Sequence, residues 1–224
     1  MIFNQSVTAL VPMKEHSERV PGKNTRPFAG KPLFHHILAT LQRTYSIDKI
    51  VVNTDSETIA EEARLHFSKV QVIERPESLR GDFVSMNELI AHDISGSPAD
   101  IYIQTHATNP LLRSKTVSDA LRGYAKSEEY DSLFTVNRIQ TRLYDSEGRP
   151  VNHDPDELLR TQDLPPLFEE NSCLYVFTSE SFEKKKRRIG DAPLMYETDP
   201  IESIDIDDEF TFRLAEMLAG YAHL

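Results

Sequence analysis

The chain has 224 residues, of which 39% are hydrophobic and 27% charged, and its formal net charge is -11 at pH 7. This acidic balance argues against a general nucleic-acid-binding protein, whose affinity comes from neutralising phosphates. A single cysteine, Cys173, excludes an internal disulfide framework and a cysteine-rich zinc site. No apolar run approaches the roughly 18 residues that span a bilayer. With no signal peptide evident either, we expect a cytoplasmic protein without a membrane partner.

The first predicted strand and the first predicted helix enclose a cationic loop. Residues 7–11 form a short apolar run, and residues 33–41 repeat apolar side chains on one helical face. Five cations lie between them: Lys14, Arg19, Lys23, Arg26 and Lys31. Loop N–H groups and a helix N-terminus lack internal partners, so this concentration of charge predicts an anion site. The loop lacks the GxxxxGK[ST] and GxGxxG patterns, and a mobile, solvated surface loop is the alternative.

Strand-like and helix-like segments alternate along the next hundred residues. Apolar runs typical of buried strands occupy residues 49–53, 70–73, 101–104 and 133–136, and helical patterns stand between them. A further strand is predicted at residues 172–177, and helices at 179–187 and from Asp208 onward. This order predicts an α/β fold with a doubly wound, mostly parallel sheet and helices on both faces. We expect one domain over residues 1–224.

The pattern is interrupted between Asn137 and Glu170. This stretch contains four prolines and little apolar periodicity. A disordered surface loop is one interpretation, but its length inside a compact chain favours an arm or lid at residues 137–170. We therefore consider an arm that packs against a second subunit.

An acidic segment precedes the last helix. If residues 204–207 are extended, Asp205 and Asp207 share one face, and Ile204 and Ile206 share the other. Two carboxylates so placed repel each other unless a cation lies between them, and Mg²⁺ suits such a pair together with substrate phosphates. The alternative is a solvated acidic face with Asp208 as a helix cap. The basic run at residues 184–188 is interpreted as a solvated charged face.

Together these stretches resemble the sugar-acid cytidylyltransferases, particularly the acylneuraminate type. VPMKEHSERVPGKNTRPFAGKPL resembles the family's loop signature, with Pro12, Ser17, Pro21, Lys23 and Asn24 in matching places. Further similarities follow in order along the chain: VNTDSETIAEEA, RPESLRGD, THATNPL, ENSCLYVF and SIDIDDEFTFRLAE. The resemblance implies a nucleotide-diphospho-sugar transferase-like fold with a dimerisation arm.

The implied reaction joins CMP from CTP to the anomeric hydroxyl of a sialic-acid-like 2-keto sugar acid and releases pyrophosphate. The implied catalytic residues are Lys14, Lys23, Asp205 and Asp207, the two aspartates being ligands of Mg²⁺, with Mn²⁺ as an alternative. The implied nucleotide contacts are Ser17, Arg19, Asn24 and Arg75. The implied sugar and ribose contacts are His106, Thr108 and Asn171. The family also implies a homodimer.

Several positions depart from the family pattern. Lys14 replaces an arginine and so loses the planar bidentate fork, Glu18 replaces a lysine, and His106 replaces a glutamine. The chain therefore retains the family's pattern of catalytic residues better than its pattern of sugar-binding residues. Three alternatives stay open: a 3-deoxy-octulosonate-type acid as substrate, a different NTP, or a nucleotide-binding homologue without turnover.

Overall fold

A seven-stranded sheet forms the centre of the molecule in a computed structural model, which describes residues 5–81, 83–126 and 128–221. The strands lie in the order β5-β4-β1-β6-β8-β7-β9. The first half of the sheet is parallel and consists of β1 (Val7–Leu10), β4 (Lys49–Thr54), β5 (Val70–Glu74) and β6 (Ile101–Gln104). In register, Thr8 of β1 faces Lys49 on one side and Tyr102 on the other.

The second half of the sheet is mixed. It contains β7 (Ser132–Ile139), β8 (Leu167–Phe177) and β9 (Pro193–Glu197). β8 runs antiparallel to both β6 and β7, whereas β9 is parallel to β7. The sheet is mostly parallel, as predicted. The sequence analysis missed β9, because this edge strand is short, contains a proline and buries none of its five residues fully.

Helices cover both faces of this sheet, as predicted. They are α1 (Leu33–Arg43), α2 (Glu57–His66), α3 (Met86–Gly96), α4 (Ser114–Ala125), α5 (Ser179–Lys185) and α6 (Glu209–Tyr221). One core cluster joins α1, α2 and α4 to one face of the sheet, and a second joins α3 and α5 to the other. Ala9 of β1 belongs to the first cluster and Leu10 to the second, because successive strand residues point to opposite faces.

A third core cluster lies beside the cationic loop. It contains Val20, Phe28, Leu33, Leu111, Ile206, Phe212 and Ala215. Phe28 belongs to a hairpin of β2 (Pro27–Phe28) and β3 (Lys31–Pro32), whose two turn residues, Ala29 and Gly30, both have positive φ. Positive φ at both turn residues is typical of the type I′ turn, whose twist matches that of the two paired strands. The cluster therefore packs the end of the cationic loop against α6 and the acidic segment.

Residues 140–166 lie between β7 and β8, whose paired ends Ile139 and Leu167 begin a projecting hairpin. The segment has an internal antiparallel bridge between Tyr144 and Pro150. Most of its residues are exposed, and its role as an arm or lid stays a prediction. Within the described residues, no helix is long and apolar enough to cross a membrane.

Candidate functional site

A cleft opens at the carboxyl ends of the parallel strands β1, β5 and β6, on the edge where open α/β sheets bind their ligands. Its volume is about 370 Å³. It is lined by Pro12, Met13, Lys14, Ser17, Glu18, Arg19, Lys23, Asn24, Arg75, Gly81, Val84, Met86, Leu89, His106, Ala107 and Thr108. All the predicted site residues except Asp205, Asp207 and Asn171 are in this lining. The cationic loop and the polar ends of the strands thus form one site.

Lys23 connects the cationic loop to the acidic segment. Its Nζ donates a 2.7 Å hydrogen bond to the carbonyl oxygen of Ile206, and the residue is 9% exposed. Burial lowers the pKa of Lys23, and the negative charges of Asp205 and Asp207 oppose that shift. A buried ammonium is stable only with such partners. Lys23 is therefore bonded to the backbone of the acidic segment and lies within electrostatic range of its two carboxylates.

The alternation predicted for the acidic segment is present, although residues 204–207 form no strand. Ile206 is fully buried in the third core cluster. Its N–H donates a 2.9 Å hydrogen bond to the carbonyl oxygen of Thr108, which anchors the segment to the loop after β6. Asp205 and Asp207 consequently stand on the side of Lys23 and the cleft.

The two carboxylates have different environments. The pKa of Asp205 is raised, first by burial and then by the negative charge of Asp207, while a Thr108 hydrogen bond opposes the shift. Within the described residues, Oδ1 of Asp205 is buried and has no hydrogen-bond partner. Asp207 is half-exposed, and its Oδ1 forms a 2.7 Å ion pair with Nη2 of Arg19. The pair thus offers one buried oxygen without a hydrogen-bond partner among the described residues and one oxygen paired with a largely exposed arginine.

Not every cation of the loop faces the cleft. Arg26 makes two hydrogen bonds to the carboxylate of Glu209, at 2.6 and 2.8 Å, and its guanidinium lies 4.1 Å from the Phe212 ring centroid. Such bidentate pairs fix geometry as well as charge. Arg26 therefore fastens the loop to α6, and Asn24 fastens it internally through a 2.8 Å bond to the Lys14 carbonyl oxygen.

Arg75 is held by residues that the sequence analysis missed. Its Nε donates to Oδ1 of Asn53 at 2.9 Å, and its Nη2 donates to the carbonyl oxygen of Met13 at 3.1 Å. The Asn53 amide donates in turn to Asp93, at 2.6 Å. Asn53 and Asp93 are both 0% exposed. A polar residue that ends an apolar strand, as in VVNT, is a sequence signal that could have indicated Asn53.

His106 lies at the other end of the cleft and contacts Gln104, another residue that the sequence analysis missed. Nε2 of Gln104 is 3.1 Å from Nε2 of His106. Burial lowers the pKa of His106 from 6.5 to about 4, and the positive charges of Arg188 and Lys23 add to the shift. His106 is therefore neutral at physiological pH.

Asn171 is not among the residues that line the cleft. Its amide nitrogen donates to Asn137 at 2.9 Å and to the Thr198 hydroxyl at 2.7 Å, and its oxygen accepts from the Cys173 N–H at 3.3 Å. These bonds join β8 to β7 and to the residues after β9. The predicted sugar contact of Asn171 stays a prediction.

Comparison with known proteins identifies the family of the chain that forms this cleft. A family model described as cytidylyltransferase matches residues 8–221. The chain belongs to the cytidylyltransferase family. A relative from Legionella pneumophila, CMP-N,N'-diacetyllegionaminic acid synthase, is 27% identical over 226 residues, covering 95% of this chain and 95% of that protein. Cytidylyltransferases are nucleotidyltransferases, so the family defines the class of enzyme.

Other relatives in the cytidylyltransferase family are longer. N-acylneuraminate cytidylyltransferase of Escherichia coli is 25% identical over 93% of this chain. N-acylneuraminate cytidylyltransferase A of Danio rerio is 26% identical over 95% of this chain. The matched parts are 51% and 50% of those two proteins. The chain therefore spans about half the length of these relatives.

Solved structures show the same fold. CMP:2-keto-3-deoxy-manno-octonic acid synthetase in complex with CTP has a TM-score of 0.69 and 15% identity, covering 96% of this chain and 99% of that one. 4-Diphosphocytidyl-2C-methyl-D-erythritol synthase from Anaerococcus prevotii has a TM-score of 0.69 and 10% identity, covering 98% of both chains. At these identities the likeness establishes the architecture.

The low pKa of His106 predicts a loss of stability in mild acid. As pH falls from 6.5 towards about 4, the unfolded chain binds a proton that the folded His106 does not bind. The free energy of unfolding should therefore decrease over this interval. We expect His106→Gln to make the decrease shallower, as measured by urea unfolding at a series of pH values. His35 and His36, whose pKa values burial also lowers, contribute equally in both proteins. Identical slopes for the two proteins would contradict the assignment.

Proposed function

We propose that this cytidylyltransferase joins the CMP part of CTP to the anomeric hydroxyl of a sialic-acid-like 2-keto sugar acid and releases pyrophosphate. The observation that carries the proposal is the contact between the cationic loop and the acidic segment across one cleft, made by the 2.7 Å bond from Lys23 to Ile206. The names of the relatives, a CMP-legionaminic acid synthase and N-acylneuraminate cytidylyltransferases, support the sugar-acid class.

The triphosphate would lie along the cationic loop. Lys14, Ser17 and Lys23 line the cleft there, with Arg19 and Asn24 beside them. Lysine ammonium and serine hydroxyl groups donate hydrogen bonds to phosphate oxygens. Arg75 would contact the nucleotide at the β4 and β5 end of the cleft, and His106 and Thr108 would contact the sugar or ribose.

Transfer of this kind is catalysed mainly by positioning and charge neutralisation. The sugar hydroxyl would attack the α-phosphorus and lose its proton to water. A new phosphorus–oxygen bond would form as the bond to the pyrophosphate oxygen breaks and pyrophosphate leaves. Lys14 and Lys23 would neutralise the charge that develops on the phosphates. The residues of the cleft would hold the two substrates in line, with no covalent intermediate on the enzyme.

Asp205 and Asp207 have the donor chemistry of a Mg²⁺ site, or of Mn²⁺ as an alternative. The buried Oδ1 of Asp205 lacks a hydrogen-bond partner among the described residues, which suits a metal ligand. Two carboxylates are all that the protein would supply, since no three His, Cys, Asp or Glu side chains are grouped to hold a metal ion at this pair or anywhere else in the described residues. Mg²⁺ commonly takes one or two carboxylates and completes its shell with phosphates and water. When bound, the ion would neutralise triphosphate charge and lower the pKa of a ligated hydroxyl. Arg19 would then have to release Asp207.

A substrate panel tests the proposal directly. Each of the four common NTPs is incubated with Mg²⁺ and, in turn, with nine-carbon and eight-carbon 2-keto sugar acids, and pyrophosphate release is measured. We expect release with CTP and a sialic-acid-like nine-carbon acid. Release only with another base would contradict the nucleotide assignment, and release only with eight-carbon acids would contradict the sugar assignment. Tight CTP binding in a calorimeter without product from any acid would indicate a homologue without turnover.

Two neighbouring aspartates provide a matched pair of variants. Asp207→Asn should reduce kcat on the order of 10²-fold or more, since the removed charge is one that the transition state needs. Asp208 instead caps α6, its Oδ1 accepting a 2.7 Å bond from the Thr211 N–H. Asp208→Asn should retain nearly full kcat, because asparagine also caps helices. A loss of only a few-fold in Asp207→Asn would exclude a metal-ligand role for Asp207.

We also propose a cytoplasmic homodimer in which the arm at residues 137–170 contacts a second subunit. Large apolar side chains are exposed on this arm, including Leu158 at 83%, Tyr144 at 57% and Val151 at 55%. A second subunit packed on the arm would remove these apolar side chains from water.

Analytical ultracentrifugation tests the dimer. We expect the unaltered chain to sediment as a dimer and Leu158→Glu to sediment largely as a monomer, since a charge in an apolar interface is costly. Leu65→Glu is the control, because Leu65 is 75% exposed on α2 and far from the arm in sequence. A monomeric unaltered chain, or equal dissociation by both variants, would contradict the role of the arm.

A further inference from the structure

The basic run at residues 184–188 is a solvated face in all but its last member. Lys184, Lys185 and Arg187 form ion pairs with Asp191, and Lys186 pairs with Glu183. Arg188 instead turns toward the sheet. Its guanidinium lies 3.8 Å from the centroid of the Tyr175 ring, and its Nη1 donates to Oε1 of Gln104. The prediction that the whole run is a solvated charged face is therefore wrong for Arg188.

Gln104 carries the influence of Arg188 into the cleft. Arginine has donors only, so the amide oxygen of Gln104 must face Arg188, and the amide nitrogen must face away from it. That nitrogen donates to the Thr105 carbonyl oxygen at 2.9 Å and lies 3.1 Å from Nε2 of His106. Gln104 is 0% exposed, so its amide cannot be satisfied by solvent in another orientation.

This arrangement determines the tautomer of His106. Since the Gln104 amide nitrogen is a donor, Nε2 of His106 must be the acceptor. Because the ring is neutral, its proton then lies on Nδ1. The residue is only partly buried and belongs to the lining of the cleft. In this tautomer the ring of His106 has one donor, Nδ1–H, beyond its bond to Gln104, and no second acceptor.

The Arg188 site is itself held in place from the other side. The hydroxyl of Tyr175 bonds to Glu170 and, at 3.1 Å, to Ser172. The ring of Tyr175 is 0% exposed. Stacking a guanidinium on a fixed aromatic ring restricts both its plane and its position. Arg188 is thus a rigid support for Gln104.

We propose that Arg188 is a positioning residue that acts through Gln104 to hold His106 as the Nδ1–H tautomer, which donates to the carboxylate of the sugar acid. The proposal rests on the proposed function for the identity of that ligand. A carboxylate only accepts hydrogen bonds, so it matches a group that only donates. The nearby positive charges of Arg188 and Lys23, which both act on His106, also favour an anion there.

Removing Arg188 should weaken binding of the sugar acid selectively. In Arg188→Met the Gln104 amide keeps only its bond to the Thr105 carbonyl oxygen to orient it, so the Nδ1–H tautomer of His106 is held less strongly. We expect the KM for the sugar acid to rise about tenfold or more, the factor of one hydrogen bond to a charged group. The KM for CTP should change less than about twofold, a difference well below that of one such bond.

A neighbouring arginine supplies the matched control. Arg187→Met removes the same side chain from the same run, but Arg187 pairs with Asp191 on the surface. Its KM values should equal those of the unaltered enzyme. A general loss of stability in Arg188→Met would not raise the KM for the sugar acid while leaving the KM for CTP unchanged. An unchanged sugar-acid KM in folded Arg188→Met, or an equal change in Arg187→Met, would overturn the proposal.

Gln104→Glu tests the tautomer itself. A carboxylate accepts from both Arg188 and His106, so it would require a proton on Nε2 of His106. We expect two-bond ¹H–¹⁵N spectra, with His106 assigned by comparison with His106→Gln, to show the Nδ1–H form in the unaltered protein and Nε2 protonation in Gln104→Glu. An Nε2–H tautomer in the unaltered protein would overturn the proposal.

The spectra also separate the proposal from the proposed function. If the unaltered enzyme transfers no cytidylyl group to any sugar acid, the proposed function fails, and the tautomer is still measured. If it transfers normally while the tautomer or the KM values differ from expectation, only the role of Arg188 fails. Should Arg188→Met not fold, as judged by circular dichroism, the spectra of the unaltered protein and of Gln104→Glu decide the matter.

Discussion

The buried ammonium of Lys23 is the interaction on which the rest of the site depends. It joins two segments that are 183 residues apart in the chain, through the bond to the Ile206 carbonyl oxygen. A buried cation without partners would cost several kcal/mol, on the order of the penalty for an uncompensated charge. The fold therefore has to bring the acidic segment to the cationic loop, and the third core cluster does so by packing Ile206 against Val20 and Phe28.

Buried amides support both ends of the cleft in the same way. Asn53, at the end of β4, takes its orientation from Asp93 and presents its oxygen to Arg75. Gln104, at the end of β6, takes its orientation from Arg188 and presents its nitrogen to His106. An amide can serve in this manner because it carries a donor and an acceptor on opposite sides. The charged partners, Asp93 and Arg188, are outside the lining of the cleft, whereas Arg75 and His106 belong to it.

The sequence predicted the fold and most of the cleft through patterns that are local. Apolar runs and helical periodicity located β1, β4, β5 and β6, because these elements are buried and regular. The missed edge strand β9 has neither property. Charge alone identified the loop, but it could not separate Arg26, which is bound to Glu209 and Phe212, from Lys14 and Lys23. Both kinds of cation look alike until their partners are known.

The sequence by itself determined the order of the elements, the cationic loop, the acidic pair and the family resemblance, since each is written in consecutive residues. Only the tertiary structure decided which side chains act together. Asp93 lies 40 residues from Asn53, and Arg188 lies 84 residues from Gln104. Such partnerships depend on where the helices α3 and α5 pack on the sheet, and local sequence patterns do not specify those positions.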